Sequence, residues 1–311
     1  MTRNGKITTT LIVAAIAAVG CTKDKSSQTE NKDSQRTAKV VTVSMPKPAG
    51  DKTLDVTTPK VTGPVSYADG EALFQTGKYV EATNVFEQYT VEKPNNPWGH
   101  FMLGLSASKV GDTEKAEKAF DEALRIDPDH LKSLLNLSRM LIDKGRYDDA
   151  IVKLAHAGEI NPTSAEVHRL LGRSYSGQHK TDDAIDSYRR AIALDGTDAW
   201  SMNNLGLILI QKGRSFEATP LLSRAVELQK NVPTFHNNLG MALEKTSRFK
   251  AAASEYKEAL TADPNNAKAK SNLERIEAVK VGSEESFDRA AEAKRALEVK
   301  QPAADSATVT Q

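Results

Sequence analysis

The feature that most constrains this chain is a residue pattern that returns every 34 positions. A leucine followed by a small residue recurs in unbroken phase at Leu103-Gly104, Leu137-Ser138, Leu171-Gly172, Leu205-Gly206 and Leu239-Gly240. Alanine recurs with the same period at Ala82, Ala116, Ala150, Ala184, Ala218 and Ala252, and a large apolar residue follows each alanine four positions later. A fixed period of this size indicates stacked units that bury their apolar faces against their neighbours.

Each unit is expected to form two helices. Glycine stands where the first helix of a unit should end, at Gly77, Gly111, Gly145 and Gly213, and glycine suits a left-handed C-terminal cap. Asn96 followed by Pro97 is typical of a helix start. The recurring small residues let two helices approach closely, so that a bulky side chain of one helix fills the space beside the small residue of the other.

Prolines close the unit at Pro94, Pro128, Pro162 and Pro264. The period, the alanines, the large apolar residues that follow them and these prolines resemble the tetratricopeptide repeat (TPR) family. Six copies are predicted, over residues 63–96, 97–130, 131–164, 165–198, 199–232 and 233–266. The resemblance implies an all-α fold, a right-handed superhelical solenoid in which the first helix of each hairpin lines a concave face. Residues 267–300 are expected to form a capping helix, which keeps a solenoid soluble, and one further polar helix. Residues 301–311 are expected to be a disordered tail.

The first 20 residues have the order of a secretory signal, because basic residues precede the apolar run Leu11–Val19 and small residues follow it. The one cysteine of the chain, Cys21, comes directly afterwards. Residues 18–21 resemble the lipobox of bacterial lipoproteins, apart from the first of them, where leucine is usual. The resemblance implies that Cys21 is lipidated on sulfur and becomes the new N-terminus. The alternative is an ordinary signal peptide with an unrelated cysteine.

In such lipoproteins an aspartate after the cysteine favours the inner membrane, whereas this chain has Thr22. The resemblance therefore implies the outer membrane, on the side that faces the periplasm. Residues 21–62 are rich in polar residues and proline and show no helical or strand period. Such a segment buries too little apolar area to offset its ordering entropy. We expect a disordered linker that holds the repeats away from a membrane surface.

The sequence carries no pattern typical of a catalytic, cofactor or metal site. His100, His168 and His236 share one repeat position but are two repeats apart. Each helix layer adds roughly 8–10 Å, while a zinc–nitrogen bond is about 2 Å, so these histidines cannot share a metal ion. A net charge of +1 argues against nucleic acid as a partner. We expect a protein that is not an enzyme and binds no cofactor or metal.

Candidate binding residues follow from the resemblance, since certain first-helix positions of the family point into the concave groove. The residues so assigned are Lys132, Asn136, Arg139, Arg169, Arg173, Asn203, Asn204, Asn237 and Asn238. Asn136, Asn204 and Asn238 share one position, which resembles the asparagine ladder that grips a peptide backbone. The four cations would suit an acidic segment or a terminal carboxylate.

Each of these interpretations has an alternative. Asparagine at that position is common in the family whatever the ligand, and a basic cluster on a helical surface can simply be solvated. Trp98 and Trp200 stand early in a first helix, where they either pack under the preceding hairpin or face a ligand.

The layout of signal, cysteine, linker and repeats resembles bacterial TPR outer-membrane lipoproteins that act in pilus assembly or as envelope adaptors. It implies a non-catalytic scaffold or assembly factor, lipid-anchored in the envelope, that binds segments of one or more partner proteins. The alternative is an accessory, substrate-presenting module of an envelope enzyme complex such as a glycosyltransferase. A third possibility, a binder of small molecules or glycans, would need a closed pocket, which an open groove rarely offers.

Overall fold

The computed structural model describes residues 63–278 and 286–298, which form fourteen α-helices and no strand. The predicted all-α fold is therefore confirmed for the described part of the chain. The signal segment 1–20, the linker 21–62 and the tail 301–311 lie outside the described residues, and the predictions made for them stay predictions.

Twelve of the helices form six hairpins at the repeat period. The first helices of the hairpins are α1 (Tyr67–Gln75), α3 (Pro97–Val110), α5 (Leu131–Asp143), α7 (Ala165–Gly177), α9 (Ala199–Gln211) and α11 (Pro233–Lys245). The second helices are α2 (Tyr79–Glu92), α4 (Thr113–Ile126), α6 (Tyr147–Ile160), α8 (Thr181–Leu194), α10 (Ser215–Leu228) and α12 (Phe249–Ala262). Two more helices follow, α13 (Ala267–Glu277) and α14 (Arg289–Glu298).

Close contact between the two helices of a hairpin explains the recurring small residue. A methyl group placed on Gly104 would lie 2.7 Å from the ring of Phe120, and one placed on Gly172 would lie 2.7 Å from the ring of Tyr188. Real side chains do not approach so closely, so the ring of the second helix requires a residue without a side chain on the first. The predicted pairing of small and bulky residues is confirmed.

Left-handed backbone follows each of the six first helices. Four copies use glycine there, at Gly77, Gly111, Gly145 and Gly213, with φ from 74° to 84°. The fourth and sixth copies place His179 (φ 59°) and Ser247 (φ 62°) in the same conformation. A Cβ atom crowds the following carbonyl oxygen in this region, so these two residues carry local strain that glycine would relieve.

The curvature of the stack distinguishes its two layers of helices. Each first helix contacts the first helix of the next repeat, from α1 through to α13, whereas no such contact joins successive second helices within the described residues. Because helices on the inside of a curve lie closer together, the first helices form the inner face. The second helices form the outer face, and the apolar core fills the space between the two layers.

The C-terminal helices serve different roles. Helix α13 continues the stack as a seventh first helix and packs against α11 and α12. Helix α14 does not extend the stack but packs against α10, with Ala293 and Ala296 buried. Arg289 of α14 donates hydrogen bonds to Glu227 and Glu255, each at 3.0 Å. The polar helix expected in this region is therefore docked on the outer layer.

Candidate peptide-binding groove

The inner face formed by α3, α5, α7, α9 and α11 is the candidate site, and it is called the groove below. All nine residues that the sequence assigned to it lie on α5, α7, α9 and α11. The helices stack side by side with their axes across the groove, so each repeat contributes one row of side chains. A ligand that runs along the groove would cross these rows in turn.

The structure brings three of the four predicted cations together in the middle of the groove. Burial, followed by the charges of Arg169 and Arg173, lowers the pKa of Arg139. Glu166 forms ion pairs with both Arg139 and Arg169. Arg173 lies 2.8 Å from Asp143, at the end of the helix that carries Arg139. The expected basic cluster therefore exists across the third and fourth repeats.

Each of these arginines already has a carboxylate partner on a neighbouring first helix or at its N-terminal cap. Arg139 forms an ion pair with Glu166, and the Arg169 guanidinium lies 3.2 Å from the Asp198 carboxylate. Arg173 donates to Asp143 at 2.8 Å. These pairs link α5 with α7 and α7 with the N-terminus of α9, so the basic cluster is part of an ion-pair network. The basic cluster is therefore not simply solvated, because carboxylates of the same face bind its arginines.

The sequence interpretation missed two of the carboxylates. Glu166 lies in the first turn of α7 and Asp198 caps the N-terminus of α9, so both look like ordinary helix-start residues. Asp198 also accepts hydrogen bonds from the backbone and hydroxyl groups of Ser201, at 3.1 and 2.7 Å. The sequence did contain a signal for these ion pairs. Glu166 follows Arg139, and Asp198 follows Arg169, at a distance a little shorter than the 34-residue repeat.

Lys132, the fourth cation, has a different environment. Its ammonium group stands 5.0 Å from the centre of the Trp98 ring, within the range of a cation–π contact. The indole of Trp98 packs edge to face against His130, with ring centres 4.5 Å apart, and remains 43% exposed. Lys132 and Trp98 together form an open aromatic and cationic surface at the N-terminal end of the groove.

The asparagines of the fifth and sixth repeats bond to one another. Asn238 donates to Asn203 at 2.9 Å, and Asn237 accepts from Asn272 of α13 at 3.0 Å. Asn203, Asn237 and Asn238 are all buried. Asn204 is half-buried and lies 3.4 Å from the hydroxyl group of Tyr188. Side-chain amides thus run across the repeat boundaries as an internal ladder.

Asn136 is separated from this ladder. It is half-buried, donates to the backbone oxygen of Lys132 at 2.8 Å, and accepts from Arg139 at 3.1 Å. Asn136 and Asn204 keep more exposure than the other three predicted asparagines. Contact of any of these amides with a ligand stays a prediction.

Trp200 occupies the same repeat position as Trp98, three repeats later. Its ring packs edge to face against Phe235 of α11, with ring centres 4.9 Å apart, and it remains 45% exposed. The ring contacts of His130 with Trp98 and of Phe235 with Trp200 involve residues that follow each indole in the chain, not the preceding hairpin. Nearly half of each indole surface stays open, and its contact with a ligand stays a prediction.

Two further observations concern chemistry other than protein binding. Among the described side chains, no group of three or more His, Cys, Asp or Glu residues is arranged to hold a metal ion. Residues 63–278 and 286–298 contain no helix with the length and apolar character that crossing a membrane requires.

Hairpins stacked at a 34-residue period around an open inner groove define a helical-repeat protein with a protein-binding face. Family models described as "Tetratricopeptide repeat" match residues 107–173, 169–233 and 203–267. Together these ranges run from residue 107 to residue 267 of the 311, so the chain belongs to the tetratricopeptide repeat family.

Curated relatives share the repeats over short stretches. The chain is 30% identical over 127 residues to human "Tetratricopeptide repeat protein 7B", a stretch of 41% of this chain and 15% of that protein. It is 28% identical over 130 residues to "Anaphase-promoting complex subunit 3" of Schizosaccharomyces pombe, which covers 42% of this chain and 20% of that protein. The chain therefore spans a fifth or less of the length of these two relatives.

Solved structures show the same fold at low sequence identity. The "APC/C hetero-tetramer Cut9-Hcn1" superimposes with a TM-score of 0.60 and 19% identity, covering 67% of this chain and 41% of that chain. The Pseudomonas aeruginosa pilF structure gives a TM-score of 0.53 and 21% identity, covering 58% of this chain and 82% of that chain. These similarities establish a TPR solenoid.

Proposed function

We propose that this chain is a non-catalytic scaffold or assembly factor that binds segments of partner proteins in the groove and is lipid-anchored to the bacterial envelope, on the periplasmic side of the outer membrane. The observation that carries the binding role is the exposure of Trp98 and Trp200 on the inner face, 43% and 45%. Tryptophan is enriched at the centre of protein interfaces, where a few large aromatic residues carry much of the binding energy.

The residues that support the lipid anchor lie outside the described part of the chain. Its support is the signal-like order of residues 1–20, the position of Cys21 directly after them, and the polar composition of residues 22–62. Thr22 in place of aspartate supports the outer membrane. Stable membrane attachment needs two lipid chains, or one chain together with a second membrane-binding feature. A lipidated N-terminal cysteine of the bacterial type meets this need.

Site-specific crosslinking tests the binding role. A photo-reactive amino acid replaces Lys132 in the groove or, as a matched control, Val152 on the outer helix α6, which is 68% exposed. We expect irradiation of intact cells to link a discrete polypeptide to position 132 and not to position 152. Identical products from both positions, or no product from the groove, would rule out the groove as the binding face.

A cysteine substitution tests the anchor independently. Cys21→Ser is expected to move the protein from the membrane fraction to the soluble fraction, because the thiol that would carry the lipid is gone. Continued membrane retention with normal signal cleavage would refute lipid anchoring and would leave the binding role untouched.

A second candidate function is an accessory module that presents substrate to an envelope enzyme such as a glycosyltransferase. The observation in its favour is 24% identity over 141 residues to human "Protein O-mannosyl-transferase TMTC1", which covers 44% of this chain and 16% of that protein. The crosslinked polypeptide distinguishes the two candidates, because the second requires it to be a transferase or the substrate of one.

A further inference from the structure

Most polar side chains of the groove bond to one another, but part of its apolar surface stays exposed. The amides of the C-terminal repeats bond to one another, and the central arginines bond to carboxylates. Two exposed indoles are left, Trp98 on α3 and Trp200 on α9. The half-buried Leu105 and Leu207 lie two helical turns further along the same two helices.

The distance between the two indoles follows from the repeat geometry. Trp98 and Trp200 occupy the same position on α3 and α9, which are three repeats apart. Adjacent packed helices are roughly 8–10 Å apart, so the two rings are separated by roughly 24–30 Å. An extended polypeptide advances about 3.3 Å per residue, so roughly eight residues span that distance.

The surface between the indoles has a surplus of positive charge. The four cations Lys132, Arg139, Arg169 and Arg173 face the three carboxylates Asp143, Glu166 and Asp198, which leaves one positive charge, four minus three. Each of the three arginines is paired with a carboxylate, so the surplus charge lies on Lys132. Lys132 has Trp98 as its contact and is exposed. A ligand carboxylate would therefore find its strongest attraction at Lys132, on the Trp98 side of the surface between the indoles.

We propose that the groove binds an extended segment with two large apolar side chains roughly eight residues apart and one or more carboxylates between them. Trp98 and Trp200 each contact one apolar side chain, and Lys132 with the central arginines contacts the carboxylate. This inference rests on the proposed function and adds to it the spacing and charge of the segment.

A defined peptide tests the inference with the purified full chain. The probe is a fluorescein-labelled peptide of glycine and serine with two leucines eight positions apart and two glutamates midway, and its binding is followed by fluorescence anisotropy. We expect Trp98→Ala and Trp200→Ala each to weaken binding at least about tenfold, as loss of a central aromatic contact does. Phe216→Ala is the matched control, because Phe216 lies in the same repeat as Trp200 but on the outer helix α10 and is 75% exposed.

Changes in the peptide test the spacing and the charge separately. Moving the leucines to four positions apart, or replacing the glutamates with lysines, is expected to weaken binding at least about tenfold. Equal binding of these peptides, or no binding of the first one, overturns the inference. The crosslinking at position 132 decides the proposed function by itself, so a groove that captures a partner but ignores this peptide keeps the scaffold role and loses the stated specificity.

Discussion

Asn238 on α11 donates its side-chain amide to the side-chain oxygen of Asn203 on α9, 2.9 Å away, and both residues are buried. The bond joins the first helices of adjacent repeats. Asn272 of α13 forms the equivalent bond with Asn237 of α11. A buried amide without a partner is costly, so these bonds favour one arrangement of neighbouring repeats over others.

Removal of the Asn238 amide should destabilise the C-terminal repeats. Asn238→Ala leaves the buried Asn203 oxygen without its donor, and we expect the free energy of unfolding to fall by about 1–3 kcal/mol. Urea denaturation followed by circular dichroism measures the change. Asn136→Ala is the control, with an expected loss within about 0.5 kcal/mol, because Asn136 is half-buried and near solvent. Equal losses in both variants would contradict the structural role of the buried pair.

Glycine at the two strained helix ends should stabilise the protein. His179 and Ser247 adopt left-handed φ values of 59° and 62°, and both side chains are exposed. Relief of the left-handed strain, about 1–2 kcal/mol, outweighs the greater flexibility that glycine adds to the unfolded chain, about 0.4–1 kcal/mol. Each change to glycine is therefore expected to add about 0.5–1 kcal/mol in urea denaturation.

Gly111→Ala is the reverse control for this prediction, because Gly111 has φ 84° at the equivalent helix end. It is expected to lower the free energy of unfolding by about 1 kcal/mol. A loss of stability in the two glycine variants would show that the left-handed conformation is not strained at those positions.

The stability that His236 contributes should depend on pH. Burial acts to lower the pKa of His236, but hydrogen bonds to Glu255 at 2.7 Å and to the Lys230 carbonyl at 2.8 Å outweigh it, and the pKa is raised above its usual 6.5. The protonated form thus favours the folded state. Its contribution is complete below the unfolded pKa and is lost as pH rises through the raised folded pKa.

Urea denaturation of wild type and His236→Gln, from below the usual histidine pKa of 6.5 to above the raised folded pKa, measures this pH-dependent stability. The stability gap between the two is expected to widen as pH falls. His168 stands at the same repeat position, but burial lowers its pKa, so the gap for His168→Gln should change in the opposite direction. Parallel trends in the two variants would refute the assignment of charge to His236.

Loss of Arg289 should release α14 from the outer layer. Arg289→Ala removes both hydrogen bonds to α10 and α12 and leaves the buried carboxylate of Glu255 with His236 as its remaining partner. We expect faster amide hydrogen exchange in α14, which corresponds to a local loss of about 1–3 kcal/mol. Arg295→Ala, a change at a side chain that is 67% exposed, should leave the exchange of α14 nearly unchanged. Equal protection in wild type and Arg289→Ala would show that small-residue packing alone holds the helix.

The helical hairpins were predictable because their information is local and repeated. Gly104 and Phe120, or Gly172 and Tyr188, recur at one spacing, and a spacing repeated six times identifies two helices that pack closely. The candidate groove was predictable only in part. The sequence placed Arg139, Arg169 and Arg173 on one face. Glu166 and Asp198, which pair with two of these arginines, were missed because both look locally like ordinary helix-start residues.

The sequence by itself determined the repeat period and the pairing of small and bulky residues, because the pattern recurs and the pairing depends on contacts within one repeat. That the first helix of each pair lines the groove was implied by the resemblance to the TPR family. Tertiary structure alone decided the asparagine pairs such as Asn238 with Asn203, the ion pairs between repeats, and the docking of α14 on α10. These contacts depend on the angle between successive repeats, which sets the side chains that meet across a boundary. That angle is not a property of a single repeat, because it is set only when neighbouring repeats pack together.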